Sequence, residues 1–499
     1  MPLFWDTKSV YNAFMAFIRK IKTTSGATAV QIAYKSHSKI IKIEHVGSAH
    51  SEEELQILVE LAKQKMIGGQ KTLFDPADDP AVFAPRLGLK NSFSGLLLQV
   101  LKSQYEQLGF KQLDDEVFAC LCLARIVEPT SKIDSLRVLA DLGVSKLDKN
   151  QLYRCLKRII KNDYRTSIAN ICFDHVSRKV ISLILYDVTT LYFEIQKEDE
   201  YRKPGMSKER RLEPQIIVGL VVDTNGFPLG LHSFEGNKAE TTTILPVIEK
   251  FKTQHNLKNI TVVADAGMLS AKNLQALTDA GYNYIVGSRL NKVPYDIAEY
   301  QKTGELTDNQ IVVAHQDGFR IVYQYLKKRA ALDIRNIQKQ IAKAEKVIRG
   351  QSPVKKAKFL VAQTKDKKLN QVLIEKAYAL AGIKGYVTNL DAPNAQIIDY
   401  YHQLFNVEAS FRMAKSDLKA RPIFHRKRDS IEAHLTIVFA AMAISRTIEK
   451  LTGLSIKQFV NTLKPIRSGV VSINGHEFIA EAEISTETKS LLRKLKAGH

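Results

Sequence analysis

At 499 residues, with 45% hydrophobic and 25% charged residues, the chain is long enough for roughly two to four domains with apolar cores, which excludes a generally disordered polymer. Lys and Arg number 73 against 52 Asp and Glu; the net charge of +21 favours a polyanionic partner, nucleic acid first, over a basic surface kept only for solubility. Cys120, Cys122, Cys155 and Cys172 show neither CxxC spacing nor a His at finger distance, which argues against a zinc finger and for small buried residues in a reducing cytoplasm.

The opening MPLFWDTKSV lacks the basic and apolar regions of an export signal. Residues 1–90 read as a β-rich or mixed region. AVQIAYKSHSKIIKIEHVG alternates like a hairpin, a helical stretch follows from Glu52, and a Pro-containing loop (FDPADDPAVFAP) comes next. Over 91–180 the period is helical: FSGLLLQVLKSQYEQLGF, DDEVFACLCLARIV, SKIDSLRVLADLGV and KNQLYRCLKRIIKN. These helices read equally as a DNA-binding region with a helix-turn-helix and as a plain packing domain.

At Ile181 the text changes to strands. ISLILYD ends in an acid; QIIVGLVVD and FPLGLHSF follow, joined by the hairpin signal Thr-Asn-Gly. A helix from Glu240 leads to a second acid-ended strand, NITVVAD, then a helix (SAKNLQALTDAG) and a strand (YNYIVGS). This pattern predicts an α/β mixed sheet over 181–288. An insertion over 289–383 follows, with a strand-like piece (QIVVAHQDGFRIVYQY) and a Lys327–Lys368 helical piece carrying 14 basic and 3 acidic residues. The sheet resumes at KGYVTNL, and 384–450 adds the helix YYHQLFNVEASFRMAKSDL and the apolar helix SIEAHLTIVFAAMAISRTIEK. The longest apolar run, Leu435 to Ser445, is too short to cross a bilayer. Residues 451–499 hold a short helix, a hairpin (GVVSINGHEF) and a basic tail.

Asp187 and Asp265 each close an apolar strand, where α/β folds place chemistry. Paired carboxylates call for a cation between them, and a hard divalent ion such as Mg²⁺ suits oxygen donors. Read singly, each Asp could equally cap the next turn. On a helix advancing about 100° per residue, Tyr401, Glu408, Arg412 and Lys415 share one sector of roughly 60°. An acid there could hold metal while cations one and two turns on clamp phosphates; the alternative is an ordinary Glu–Arg surface pair. Downstream, KARPIFHRKR offers Lys419, Arg421 and His425 as a phosphate-contacting run, or as a solvated loop. His45, His50, His402, His425 and His434 make no ligand set by spacing and suit structural or DNA-contacting roles.

Taken together, these pieces resemble the DDE transposases of bacterial insertion sequences, and within them the IS-four superfamily. Its signature Y-x2-R-x3-E-x6-K is met by Tyr401, Glu408 and Lys415, with Leu404 at the Arg position. YDVTTLYFE, GMSKERR, FEGNKAETTT, VADAGMLS, YIVGSR, VEASFRMAKSDLKARPIFH and IEAH extend the likeness, as do TTSGATAVQIAY and LARIVEPTSK.

The resemblance implies an RNase H-like catalytic core interrupted by an insertion, for which the 143-residue step from Asp265 to Glu408 leaves room. It implies that Asp187, Asp265 and Glu408 are catalytic and hold two Mg²⁺ ions, with Mn²⁺ able to substitute. Tyr401, Arg412, Lys415, Lys419, Arg421 and His425 would contact DNA, Arg412 standing in for the missing Arg. The implied activity is binding of terminal inverted repeats, cleavage of the ends and joining to target DNA. The implied partners are double-stranded DNA and a second copy in a synaptic homodimer, in a bacterial cytoplasm at the nucleoid and not at a membrane. The competing readings are an inactive or repurposed DNA-binding protein, and an RNase H-fold nuclease that cuts without joining.

Overall fold

The computed structural model describes residues 15–23, 26–36, 39–67, 87–177, 182–194, 197–205, 213–268, 270–288, 290, 294–316, 318–351, 358–361, 368–473 and 476–497. The opening decapeptide, the Pro-containing loop and most of GMSKERR lie outside these residues.

In chain order the first elements are β1 (Met15–Lys22), β2 (Thr28–Ser36), β3 (Lys39–Ala49) and α1 (Glu52–Ile67). Next come β4 (Leu87–Phe93), α2 (Gly95–Gln107), α3 (Glu116–Val127), α4 (Ser135–Asp141), α5 (Lys149–Lys161) and α6 (Tyr164–Ser177). The central segment runs β5 (Leu183–Tyr192), β6 (Gln215–Val222), β7 (Pro228–Glu235), α7 (Ile244–His255), β8 (Thr261–Ala264), α8 (Ala271–Asp279) and β9 (Asn283–Ser288). It is followed by α9 (Tyr295–Thr303), β10 (Ile311–Gln316), β11 (Phe319–Tyr325), α10 (Lys327–Ile348), the short strands β12 (Leu360–Val361) and β13 (Lys368–Leu369), α11 (Gln371–Ala379) and β14 (Ile383–Thr388). The chain ends with α12 (Asn394–His402), α13 (Phe405–Arg412), α14 (Arg428–Thr452), α15 (Ile456–Leu463), β15 (Ser468–Ile473), β16 (His476–Ala480) and α16 (Thr486–Ala497).

Two compact units result, and neither is continuous in sequence. One draws on described residues within 1–103, 133–148 and 448–499, the other on 104–132 and 149–447. In the first, β1, β2 and β3 form an antiparallel meander, and α1 seals one face by burying Leu58 and Ala62 against Val30, Ile32 and Ala49. Ser51 caps α1 by accepting the Glu54 N–H at 3.2 Å, and three acids fill the first turn, where the helix dipole favours them. β4 was not expected as a strand; it pairs with β15, a partner at the far end of the chain that local periodicity cannot reveal.

The second unit is built on an eight-stranded sheet of order β10-β11-β14-β9-β8-β5-β6-β7. β5, β6 and β7 are antiparallel, and β8 and β9 run parallel to β5 through helical crossovers. This is the mixed sheet of an RNase H-like core. β6 is buried along its whole length, which explains its unbroken apolar text. The stretch expected as an insertion is partly sheet: β10 and β11 extend it beyond β14 and pack around Ile297, Tyr323 and Ile383, and the segment from α10 to α11 gathers a separate apolar cluster, with Ile337, Ala344, Phe359 and Ile374. The four cysteines are thiols rather than disulfides, and Cys122, Cys155 and Cys172 are buried. α14 is long and apolar enough to cross a membrane, yet 89% of its most apolar stretch is buried inside the protein.

A charged knot ties α6, β7 and α14 together. Glu432 accepts hydrogen bonds from Tyr201 Oη at 2.7 Å and Ser233 Oγ at 2.8 Å, and pairs with Arg165 at 2.6 Å. Burial alone would raise the Glu432 carboxyl, but Arg165, Tyr201 and Ser233 hold it below its usual value. Its stabilising contribution is therefore full above the ordinary carboxylate range and is lost as pH falls through the lowered value. Glu432→Ala is expected to cost about 1–3 kcal/mol at neutral pH, because it takes the carboxylate from the half-buried Arg165 guanidinium and leaves the Tyr201 hydroxyl without its acceptor. In urea unfolding, the gap from wild type should narrow as pH drops into the acid range; an unchanged gap would show that the carboxylate charge contributes nothing.

Candidate active site

The register of the sheet sets the first two acids side by side. The last β5–β8 pair is Tyr186↔Ala264, so Asp187 and Asp265 are the residues that follow it on the two neighbouring stretches of chain. Asp265 follows the last residue of β8, as the sequence suggests. Asp187 does not end its strand: β5 continues five residues further, to Tyr192. β8 stops at Ala264, whereas β6 pairs with β5 from Leu185 to Tyr192, and that ladder carries the strand on.

The register continues across β9 and β14. Val286 pairs with Ala264, so Gly287 stands next to Asp265, and Tyr386 pairs with Gly287. Gly287 leaves the space that the Tyr401 ring fills: a Cβ there would lie 2.5 Å from Tyr401 Oη. Tyr401 Oη donates to Asp265 Oδ1 at 3.2 Å, and the Ala266 N–H donates to the same oxygen at 2.7 Å. Burial first, then the Asp265 charge, raises the Tyr401 phenol, so it stays protonated and acts as a donor. Tyr401 is buried, with its ring 4.9 Å from that of Tyr386.

Glu408 arrives from α13, which packs on β5 and β6. The β6–β7 turn anchors this helix. Asn406 Nδ2 donates to the Thr224 carbonyl and Ser410 Oγ to the Gly226 carbonyl, both at 2.7 Å, while Arg446 donates to Asn225 and Gly226 carbonyls. The turn itself is fixed by Asp223, which accepts from the Asn225 and Phe227 N–H groups. Gly226 takes φ +80°, open to glycine at no steric cost.

One expectation needs correction. Tyr401, Glu408, Arg412 and Lys415 do not share a single helix. α12 ends at His402 and α13 begins at Phe405, with tighter bonds across the break (Leu404 N to Tyr401 O, 3.0 Å; Val407 N to Leu404 O, 3.1 Å). After Arg412 the coil widens, and Leu418 N bonds back to Met413 O at 2.9 Å. Leu404, at the Arg position of the signature, is buried at this break. The 100° rule fails here because buried Leu404, Tyr401 and Val407 are placed by packing rather than by one continuous ladder.

The remaining residues occupy varied settings. Arg412 is exposed, its guanidinium 5.6 Å from the Phe405 ring centroid. Lys415 is half-buried and Lys419 exposed with φ +42°. Arg421 lies 5.2 Å from the Tyr192 ring centroid. His425 is half-buried; burial, with Lys132 and Arg125 nearby, pushes its imidazole down to about 4, so it is neutral at pH 7. His434 is buried, with Nδ1 3.2 Å from Lys132 Nζ.

Three residues near the acids escaped the reading of the sequence. Lys384 on β14 has its ammonium 4.4 Å from the Tyr401 ring centroid and 5.5 Å from that of Tyr386. Burial and Arg329 push it down, while Asp265 and Glu408 oppose that shift. Arg329, at the start of α10, lines a cavity with Asp265, Lys384 and Tyr401. The Glu240 and Asp265 carboxylates both lie near Gly267, where a Cβ would stand 3.3 Å from Glu240 Oε2 and 3.9 Å from Asp265 Oδ2. Lys384 could have been flagged, since a lysine between apolar residues and a glycine in a core strand is a poor strand choice.

Among the described residues no three Asp, Glu, His or Cys side chains form a group able to hold a metal by themselves. The donor chemistry nonetheless fits Mg²⁺, which is bound through one or two carboxylates completed by water and phosphate oxygens rather than by an all-protein cage. Asp187 and Asp265 supply such a pair.

No curated protein matches the chain. Among solved structures, a piggyBac transposase, determined by cryo-EM as a synaptic complex with hairpin DNA, is similar at 11% identity and a TM-score of 0.39, covering 74% of this chain and 79% of that one. The family model for the transposase DDE domain matches residues 178–444, a span that contains both aspartates, Glu408 and the whole eight-stranded sheet. The chain belongs to the transposase DDE-domain family.

Proposed function

We propose that this transposase binds the terminal inverted repeats of an insertion sequence of the IS-four type, cleaves the DNA at the ends and joins them to a target. Asp187, Asp265 and Glu408 are the catalytic acids, acting with Mg²⁺ or Mn²⁺. The observation that carries this reading is the juxtaposition of Asp187 and Asp265 on neighbouring parallel strands, with Tyr401 fixing one Asp265 oxygen. A divalent cation on these carboxylates supplies Lewis-acid stabilisation of the attacking and leaving oxygens of a phosphodiester. Tyr401 and the Ala266 N–H hold the Asp265 carboxylate in one orientation, and the β6–β7 turn holds the Glu408 helix against β5. Arg412, Lys415, Lys419 and Arg421 supply cations for backbone phosphates, and neutral His425 supplies a hydrogen bond rather than a charge. A homodimer brings two ends together.

The test uses the purified protein and a DNA fragment carrying the gene's own flanks. Strand cleavage is followed in Mg²⁺ and in EDTA, for wild type and Asp187→Asn. Metal-dependent cutting at one defined position, lost in the variant, is the expected result. Salt-sensitive binding without cutting would favour a DNA-binding protein without catalysis, and cutting without joined products would favour a nuclease.

A further inference from the structure

The cavity beside Asp265 is wider than the acids need. Its volume is about 350 Å³, within the range of small-ligand sites, and Gly287, Gly385, Ile383, Leu290 and the Tyr401 ring form much of its wall. Two cations enter it. Lys384 shares the sheet face of Tyr386, two residues along β14, and makes no hydrogen bond or ion pair among the described residues; its ammonium rests on two tyrosine rings. Arg329 projects from the first turn of α10, loosely paired with Asp333 at 3.5 Å and 44% exposed at its side chain. A half-buried ammonium with its N–H donors unspent, a guanidinium across the same cavity and a catalytic carboxylate at its edge form an anion site placed against the chemistry.

We propose that Lys384 and Arg329 form a phosphate subsite in this cavity, which receives one nucleotide of the DNA strand and holds its phosphate against the Asp265 end. The inference rests on reading Asp265 as a site acid, but not on cleavage. Gly287 fits this use, because it leaves the room in which the Tyr401 ring, and on it the Lys384 ammonium, is seated. Tyr401 then serves twice: its hydroxyl orients Asp265, and its ring positions the Lys384 ammonium.

The experiment is isothermal titration of the full-length protein with thymidine 3′,5′-bisphosphate in EDTA at low salt. Lys384→Met and Arg329→Gln should each weaken binding by about fivefold or more, whereas Lys384→Arg should stay within about twofold of wild type. Asp265→Asn should bind more tightly, because a facing negative charge is removed. No binding by wild type, or equal binding by wild type and both cation variants, overturns the proposal. Should Lys384→Met fail to fold by circular dichroism, Arg329→Gln, at an exposed helix end, decides it alone. With no metal present and no bond cut, a failure here is separate from a failure of the cleavage test.

Discussion

Replacing Asp265 by Asn is expected to abolish strand cleavage, by about 10³-fold or more, while DNA binding is kept. The substitution is clean in structural terms. The amide oxygen of Asn can still accept from Tyr401 Oη and from the Ala266 N–H, so both hydrogen bonds that orient the side chain survive. What disappears is the charge. In the proposed site that charge, beside Asp187, would attract a hard cation, and a neutral amide is a far weaker ligand. Removing an anion from a surface that must meet phosphates cannot weaken DNA binding by electrostatics. Cleavage assays beside gel-shift titrations check both halves. Wild-type rates in the variant would remove Asp265 from the chemistry, whereas joint loss of binding and cleavage would point to a fold defect.

The second large effect is expected at a residue with no side chain. Gly287→Ala should cost about 1–3 kcal/mol of stability, as overpacking does, and cut the cleavage rate by about 10²-fold. A Cβ at this position would lie 2.5 Å from Tyr401 Oη and 3.2 Å from the Ala266 backbone nitrogen. The nitrogen belongs to the segment that carries Asp265 and cannot retreat freely, so the Tyr401 phenol must swing away. That motion breaks the bond to Asp265 Oδ1 and removes the ring on which Lys384 rests. The coupling is testable in a double-mutant cycle: in a Tyr401→Phe background the nearest clashing atom is gone, and Gly287→Ala should cost less. Additive costs would mean that the alanine is accommodated elsewhere.

Much of the core was readable from local pattern. β6 is apolar throughout because both its faces are buried, and Thr-Asn-Gly marks the tight turn to β7 because Gly226 sits at positive φ. The two aspartates stood out as charges closing apolar runs. β4 was missed because its pairing with β15 is set by contacts between opposite ends of the chain. β10 and β11 read as part of an insertion because alternating text does not say which sheet a hairpin joins; pairing with β14 decides that. The helix holding Tyr401 and Glu408 looked continuous, since no glycine or proline marks the break at Gln403–Leu404.

By itself, the sequence determined the α/β character of the core and the basic balance of the chain, and it singled out three acids as candidates for phosphoryl transfer. These properties are carried by residue type and by short-range period, which survive without any knowledge of neighbours. Tertiary structure alone decided that Asp187 and Asp265 lie in register, that Gly287 opens room for Tyr401, and that Lys384 and Arg329 face the same cavity as Asp265. Such facts depend on which strands pair and in what register. A one-residue slip would turn each of these side chains to the opposite face, and the pairing is fixed by burial summed over the whole sheet rather than by any one segment.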